Sequence, residues 1–69
     1  MSTIERQHIP TRRILRLPEV LHLTGMSRSS LYLRISEGKF PAQTPLGGRS
    51  VGWDSLAVER WIKEQFNDL

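Results

Sequence analysis

The sequence of 69 residues predicts a mainly α fold with one small β-hairpin. Two short helical segments flank a tight turn at Gly25, and two adjacent glycines at positions 47 and 48 lie between short extended runs. A third segment, after Asp54, repeats apolar residues at helical spacing. A chain this short forms one domain with a small core, which leaves little room for an enclosed active site.

Composition argues against several classes of function. The chain has no cysteine, so a disulfide scaffold and a thiolate metal site are excluded. His8 and His22 have no carboxylate at ligand spacing, so we predict no metal site. Ser29 and Ser30 have no nearby histidine or lysine base in the sequence, so we predict no catalytic residue, no cofactor and no enzyme. Without a membrane-length apolar run or a signal peptide core, we expect a cytoplasmic protein that does not bind membranes.

Charge is distributed unevenly along the chain. Of the formal net charge of +3, residues 1–16 carry +3, residues 17–53 carry +2 and residues 54–69 carry −2. A basic N-terminal and central region beside an acidic end is typical of a domain that meets a polyanion on one side. Residues 1–12 are polar and lack a period, so we predict a flexible N-terminal arm there, or an ordinary solvated tail, and a folded domain over residues 13–69.

The elements of that domain follow in order. We predict that residues 13–17 form a short extended segment that joins a sheet edge. Pro18 suits the first position of a helix, and Gly25 suits the left-handed residue that ends it. Ser27 is a good cap for a second helix, which ends at Gly38 before Phe40 covers the core. The apolar side of the first helix consists of Leu17, Val20, Leu21 and Leu23.

The second helix has a narrow apolar stripe. Leu31 and Ile35 are four residues apart and share one face, whereas Tyr32 and Leu33 fall on other faces. The remaining surface is rich in hydroxyl groups and arginines, which suits a polar, anionic partner. Two helices and a turn together form a helix-turn-helix, although a helical hairpin without any partner has the same pattern.

A hairpin and a third helix complete the domain. Adjacent glycines supply the positive φ angles of a tight turn, so we predict a hairpin at about residues 44–53 with Arg49 projecting from its tip. Pro45 restricts its strand to a sheet edge, while Val51 and Trp53 face inward. Asp54 caps the last helix, whose exposed side pairs Glu59 with Lys63. Its apolar face consists of Val58, Trp61, Ile62 and Phe66; for Trp61 the alternative to core packing is a dimer interface.

Three blocks of sequence resemble a known family. Residues 23–32 (LTGMSRSSLY), 37–41 (EGKFP) and 46–53 (LGGRSVGW) are similar, in order and spacing, to the AlpA-type prophage regulators. That family is related to phage excisionases and to the DNA-binding domain of MerR-type regulators. The resemblance covers about residues 13–66, and it implies a winged helix-turn-helix fold in a bacterial, nucleoid-associated protein. It departs from many relatives at Leu33–Arg34, where they place the basic residue first.

The resemblance implies a sequence-specific DNA-binding transcriptional regulator of prophage genes. The helix at about residues 27–37 would read the major groove, and the hairpin would act as a wing on the backbone or in the minor groove. Alternatives are an excisionase-like architectural protein that assists an integrase and, in a different class, a protein interaction module on the same fold. Integrase and RNA polymerase are therefore candidate partners beside double-stranded DNA. We expect a monomer in solution, or cooperative or dimeric binding on DNA.

The candidate DNA-binding residues come from the second helix, the segment after it and the wing. We expect Arg28 and Tyr32 to hold phosphates, and Ser29, Ser30 and Leu33 to approach base edges, the leucine against a thymine methyl. Arg49 is the candidate for a narrow minor groove. For Arg34 and Lys39 the alternative is ordinary solubilising surface. The full set is Arg28, Ser29, Ser30, Tyr32, Leu33, Arg34, Lys39, Gly47, Gly48 and Arg49.

Overall fold

The computed structural model describes residues 11–67 and contains three helices and three strands. In chain order the elements are β1 (Ile14–Leu15), α1 (Leu17–Thr24), α2 (Arg28–Ser36), β2 (Thr44–Gly47), β3 (Ser50–Asp54) and α3 (Ser55–Gln65). The predicted helix-turn-helix, hairpin and closing helix are confirmed. The longest described helix, α3, has 11 residues, about half of what a bilayer crossing requires.

The strands form one antiparallel sheet in the order β1-β3-β2. Ile14 lies opposite Asp54 and Leu15 lies opposite Trp53, which confirms the short extended segment at the sheet edge. β2 forms the other edge of the sheet. Pro45 has no amide proton to donate, and an edge strand tolerates this missing donor. All four residues of β2 are exposed, so this strand adds backbone pairing to the sheet and no buried side chain.

The folded part of the chain begins before the predicted boundary at residue 13. The Arg12 guanidinium donates two hydrogen bonds to the Asp54 carboxylate, at 3.1 and 2.8 Å. Beside it, the buried Ser55 hydroxyl accepts a hydrogen bond from the Arg13 amide at 2.8 Å and donates one to the Thr11 carbonyl at 3.4 Å. Thr11 and Arg12 are therefore attached to the start of α3. The rest of the predicted arm, residues 1–10, lies outside the described residues.

The helix ends follow local chemistry closely. Gly25 has a φ of +73°, and its amide donates to the Leu21 carbonyl at 2.8 Å, which closes the last turn of α1. Glu19 in the first turn accepts a hydrogen bond from the Arg16 amide at 3.2 Å. Pro18 is the second helical residue rather than the first, because Leu17 already belongs to α1.

The core takes one buried side chain from nearly every part of the fold. Its members are Leu15 of β1, Val20 of α1, Leu31 of α2, Phe40 of the segment after α2, Trp53 of β3 and Val58 of α3. Val51 and Ile35 pack against this cluster, as predicted. Every helix and strand except β2 thus contributes one buried side chain, and removing one of these elements would expose the buried side chains of its neighbours.

Two apolar residues predicted to face the core do not. Leu23 is 47% exposed, because the buried side of the short α1 passes through Val20 and Thr24 and leaves this leucine on an outer flank. Phe66 is 72% exposed. A step of four residues is slightly more than one full turn of a helix with 3.6 residues per turn. Phe66 lies two such steps beyond Val58, so its position has rotated away from the core.

Candidate nucleic-acid interface

The turn between α1 and α2 is held by hydroxyl groups. Thr24 donates to the Val20 carbonyl at 2.8 Å and accepts from the Met26 amide at 3.3 Å. Ser27 then caps α2, because its side chain accepts a hydrogen bond from the Ser30 amide at 3.1 Å. The cap was predicted from sequence, whereas the role of Thr24 was not. Together these bonds fix the direction in which α2 leaves the turn.

The outer face of α2 carries hydroxyl groups, one leucine and one arginine. Ser29 and Leu33 form one row at four-residue spacing, Ser30 and Arg34 form the adjacent row, and all four are exposed. On the opposite side Leu31 is fully buried. No residue of α2 is acidic. These four residues are exposed, as predicted.

Tyr32 differs from the prediction. It was placed away from the buried stripe, yet it is half-buried and packs against the core. The broad ring covers the core beside the narrow stripe formed by Leu31 and Ile35, which a count of spacings alone does not anticipate. Arg28, four residues earlier, lies on the same flank and is exposed at the start of the helix.

The end of α2 forms a Schellman motif. The Gly38 amide donates to the Ile35 carbonyl at 3.0 Å, the Lys39 amide donates to the Arg34 carbonyl at 2.8 Å, and Gly38 has a φ of +74°. The Lys39 ammonium lies 3.7 Å from a Glu37 carboxylate oxygen. This acidic neighbour offsets part of the positive charge that the sequence assigned to the interface at Lys39.

Two tryptophans hold the segment between α2 and the hairpin. The indole N–H of Trp61 donates to the Lys39 carbonyl at 2.8 Å, and that of Trp53 donates to the Pro41 carbonyl at 3.0 Å. Between these points Phe40 is buried, with its ring edge-on to Trp61 at 4.9 Å. Trp61 therefore packs within its own domain, as predicted. A buried tryptophan needs a hydrogen-bond partner, but the sequence does not say which carbonyl provides it.

The tip of the hairpin consists of Gly48 and Arg49. Gly47 belongs to β2 and pairs with Ser50, so the turn begins one residue later than the adjacent glycines suggested. Both glycines have positive φ, +112° and +56°. Arg49 is exposed and is the second residue of this turn. We name residues 44–54 the wing.

Ion pairs separate the arginines into two groups. Arg12 pairs with Asp54 at 2.8 Å and Arg13 pairs with Glu19 at 3.0 Å. Hydrogen bonds from these arginines hold the pKa of Asp54 and of Glu19 below their usual range. Within residues 11–67, the ion pairs do not include the arginines at 28, 34 and 49. Arg16 and Arg60 also have no ion pair within those residues, so α2 and the wing hold three of the five unpaired arginines of the described part of the chain.

A helix-turn-helix with a basic second helix, a wing and a closing helix defines a small winged helix-turn-helix domain. The chain belongs to the family of the prophage CP4-57 regulatory protein (AlpA), whose family model matches residues 13–66. This match confirms the resemblance noted from the sequence, over the same residues.

Two curated relatives are similar to this chain. "Uncharacterized protein ORF88" of Enterobacteria phage P4 is 48% identical over 54 residues, which cover 78% of this chain and 61% of that protein. The "DNA-binding transcriptional activator AlpA" of Escherichia coli K12 is 36% identical over 59 residues, which cover 77% of this chain and 84% of the relative. The chain thus spans less than two thirds of the phage P4 relative. No solved structure matches the chain significantly.

Proposed function

We propose that this protein is a sequence-specific DNA-binding regulator of prophage genes. The observation that carries this proposal is the exposed face of α2, which has hydroxyl groups and arginines, no acidic residue and no ion pair to Arg28 or Arg34 within residues 11–67. Membership of the AlpA family and the name of the Escherichia coli relative support it. The interface consists of α2 in the major groove and the wing against the backbone or in the minor groove.

Most of the affinity comes from phosphate contacts. Arg28 at the start of α2 and Arg49 at the wing tip release counterions when they neutralise phosphates, a gain that does not depend on sequence. Tyr32 positions the helix through its hydroxyl group while its ring stays packed on the core. Gly47 and Gly48 allow the backbone of the tip to approach the DNA closely.

Specificity comes from the rows on the outer face of α2. The hydroxyl groups of Ser29 and Ser30 are short donors and acceptors for base edges, and Leu33, 58% exposed, offers an apolar contact to a thymine methyl. Arg34 lies in the same face, one turn after Ser30. Lys39 contributes less charge, because Glu37 is close to it.

Salt titration of binding to a duplex with one site tests this interface. Arg28→Ala and Arg49→Ala should each flatten the slope of log Kd against log salt concentration by about one unit, because each variant loses one phosphate contact. Lys63→Ala, which removes an exposed positive charge from α3, is the matched control and should leave the slope unchanged. Arg60 is a poorer control, since it lines the same surface depression as Lys39. Equal effects of all three substitutions would refute the assigned interface.

We propose transcriptional activation as the outcome of binding, supported by the name of the Escherichia coli relative. Transcription in vitro from a prophage promoter, with RNA polymerase and this protein, should rise above the level given by the polymerase alone. If promoter output does not change and the protein instead bends DNA beside an integrase site, the role is the excisionase-like one.

A further inference from the structure

One stripe on α3, in which Glu59, Lys63 and Phe66 are exposed and Leu56 is half-buried, has no role in the proposed DNA interface. Leu56, Glu59 and Lys63 of α3 and Phe66, which caps its C-terminal end, follow one another at spacings of three, four and three residues, so they line one side of the helix. Glu59 and Lys63 were predicted to pair with each other, but within residues 11–67 the structure gives no ion pair between them. Phe66 is 72% exposed, the largest exposure among the large apolar residues described.

Other sides of α3 face the rest of the domain, although Arg60 and Glu64 remain exposed. Val58 is buried in the core, and Trp61 holds the segment after α2. That segment borders the flank formed by Ala57, Arg60 and Glu64. A shallow apolar depression, lined by Leu56, Glu59, Arg60, Ile62 and Lys63, lies along the free side. The stripe is therefore a helix face with apolar ends and a central pair of opposite charges.

We propose that this stripe binds the same stripe of a second copy of this chain, with the two α3 helices antiparallel about a two-fold axis. The occupant is a second copy because the surface is complementary to itself. The two-fold axis passes at the level of Trp61. A residue that lies a given number of positions before Trp61 then faces, in the other copy, the residue that lies the same number of positions after it. Leu56 then meets Phe66 of the other copy, and Glu59 meets its Lys63.

One register satisfies both kinds of contact. The apolar residues lie five positions before and after Trp61, and the charged residues lie two positions before and after it. The spacing of three, four and three residues is also that of alternating a and d positions in an antiparallel helix pair. Each interface would contain two Leu56–Phe66 contacts and two Glu59–Lys63 pairs, because two-fold symmetry repeats every contact.

The short helix sets the strength of this association. An eleven-residue helix presents a small contact area, so the free protein should dimerise only at concentrations on the order of 0.1–1 mM. Two copies on adjacent DNA sites are held at a high effective concentration, and the same contact then yields cooperative binding. The self-association itself does not depend on the proposed DNA binding, so it is measured first on the free protein.

Charge exchange tests the register. Glu59→Lys and Lys63→Glu alone each place like charges opposite one another twice per dimer and should weaken self-association about tenfold in sedimentation equilibrium. The double variant restores opposite charges and should recover the native association. Glu64→Lys makes the same charge change on another side of α3 and should leave association close to native. If the double variant stays as weak as the single ones, the antiparallel register is wrong.

Removal of the aromatic ring tests the surface itself. Phe66→Ala should abolish measurable association while thermal unfolding of the monomer is unchanged, because this side chain is mostly exposed. Leu23→Ala, which removes an exposed leucine from α1, is the matched control and should associate as the native chain does. If the native protein remains monomeric at about 1 mM and binds two adjacent sites without cooperativity, the proposal is refuted.

Discussion

Gly52 lies on the outer face of the sheet, where the side chains of Ile14 and Leu46 and the Leu15 carbonyl pack around it. A Cβ atom at this position would lie 2.6 Å from Ile14 Cγ2, 3.0 Å from Leu46 Cδ1 and 3.1 Å from the Leu15 carbonyl oxygen. Gly52 therefore has no room for a methyl group, although its backbone φ is not positive. The glycine allows β1 and β2 to cover β3 with apolar side chains on a face that the core does not reach.

Gly52→Ala should destabilise the protein by about 1–3 kcal/mol, because the added methyl group displaces packed atoms. Urea unfolding followed by tryptophan fluorescence measures the change. Ile14→Ala removes the nearest obstructing carbon, so the double variant should lose less stability than the sum of the two single ones. Strict additivity would show that the alanine does not clash with Ile14.

The surroundings of Gly52 and Tyr32 could not be predicted from the sequence. Nothing around Gly52 in the sequence distinguishes it from a glycine that bends the chain, because its crowded neighbours come from β1 and β2. Tyr32 was misplaced for a related reason: its ring reaches the core from a flank of α2 that the spacing of apolar residues does not identify.

The N-terminus of α3 combines a cap with a link to the start of the domain. The Asp54 carboxylate accepts a hydrogen bond from the Leu56 amide at 3.0 Å and two from Arg12. The Arg12 hydrogen bond is the main cause of the lowered pKa of Asp54. A carboxyl group whose pKa is lower in the folded protein stabilises it above its unfolded pKa, and this contribution is lost as pH falls through the folded-state pKa.

Asp54→Asn should therefore be less stable than the native protein at pH 7, because it keeps a capping oxygen but loses the charge that binds Arg12. The difference should shrink below about pH 4 and disappear in stronger acid, where the native carboxylate is protonated as well. Urea unfolding of both proteins from pH 7 to pH 2 measures it. A difference that is the same at every pH would attribute the effect to the cap alone.

Elements were predicted well where their ends depend on neighbouring residues. The caps Ser27 and Asp54 and the terminal glycines at 25 and 38 act within three or four residues of their own position, so the sequence contains their whole chemistry. The hairpin turn begins one residue later than predicted, because Gly47 pairs with β3 and therefore belongs to β2.

At the scale of the whole molecule, the indole groups of Trp53 and Trp61 hold the segment that connects α2 to the wing. They bind the carbonyls of Lys39 and Pro41, on either side of buried Phe40, and so fix the path between the two parts of the proposed interface. Both tryptophans come from later in the chain, one from β3 and one from α3. The position of α2 relative to the wing thus depends on the closing helix.

Trp61→Phe keeps an aromatic ring but removes the donor to the Lys39 carbonyl. It should cost about 0.5–1.5 kcal/mol in urea unfolding and weaken binding to a single DNA site, because the segment after α2 is held less firmly. Gln65→Ala, which removes an exposed hydrogen bond to the Trp61 carbonyl, should change stability by less than about 0.5 kcal/mol. Native stability in Trp61→Phe would show that packing alone holds this segment.

The sequence by itself determined the order of helices and strands, their caps and the exposed face of α2, because spacing and capping act over one or two turns of chain. Only the tertiary structure decided which arginines carry unneutralised charge, where the tryptophan N–H groups bind and how Gly52 is enclosed. These features join residues 12 to 54, 39 to 61 and 14 to 52. Contacts at such separations depend on how the elements pack together, which no local pattern in the chain records.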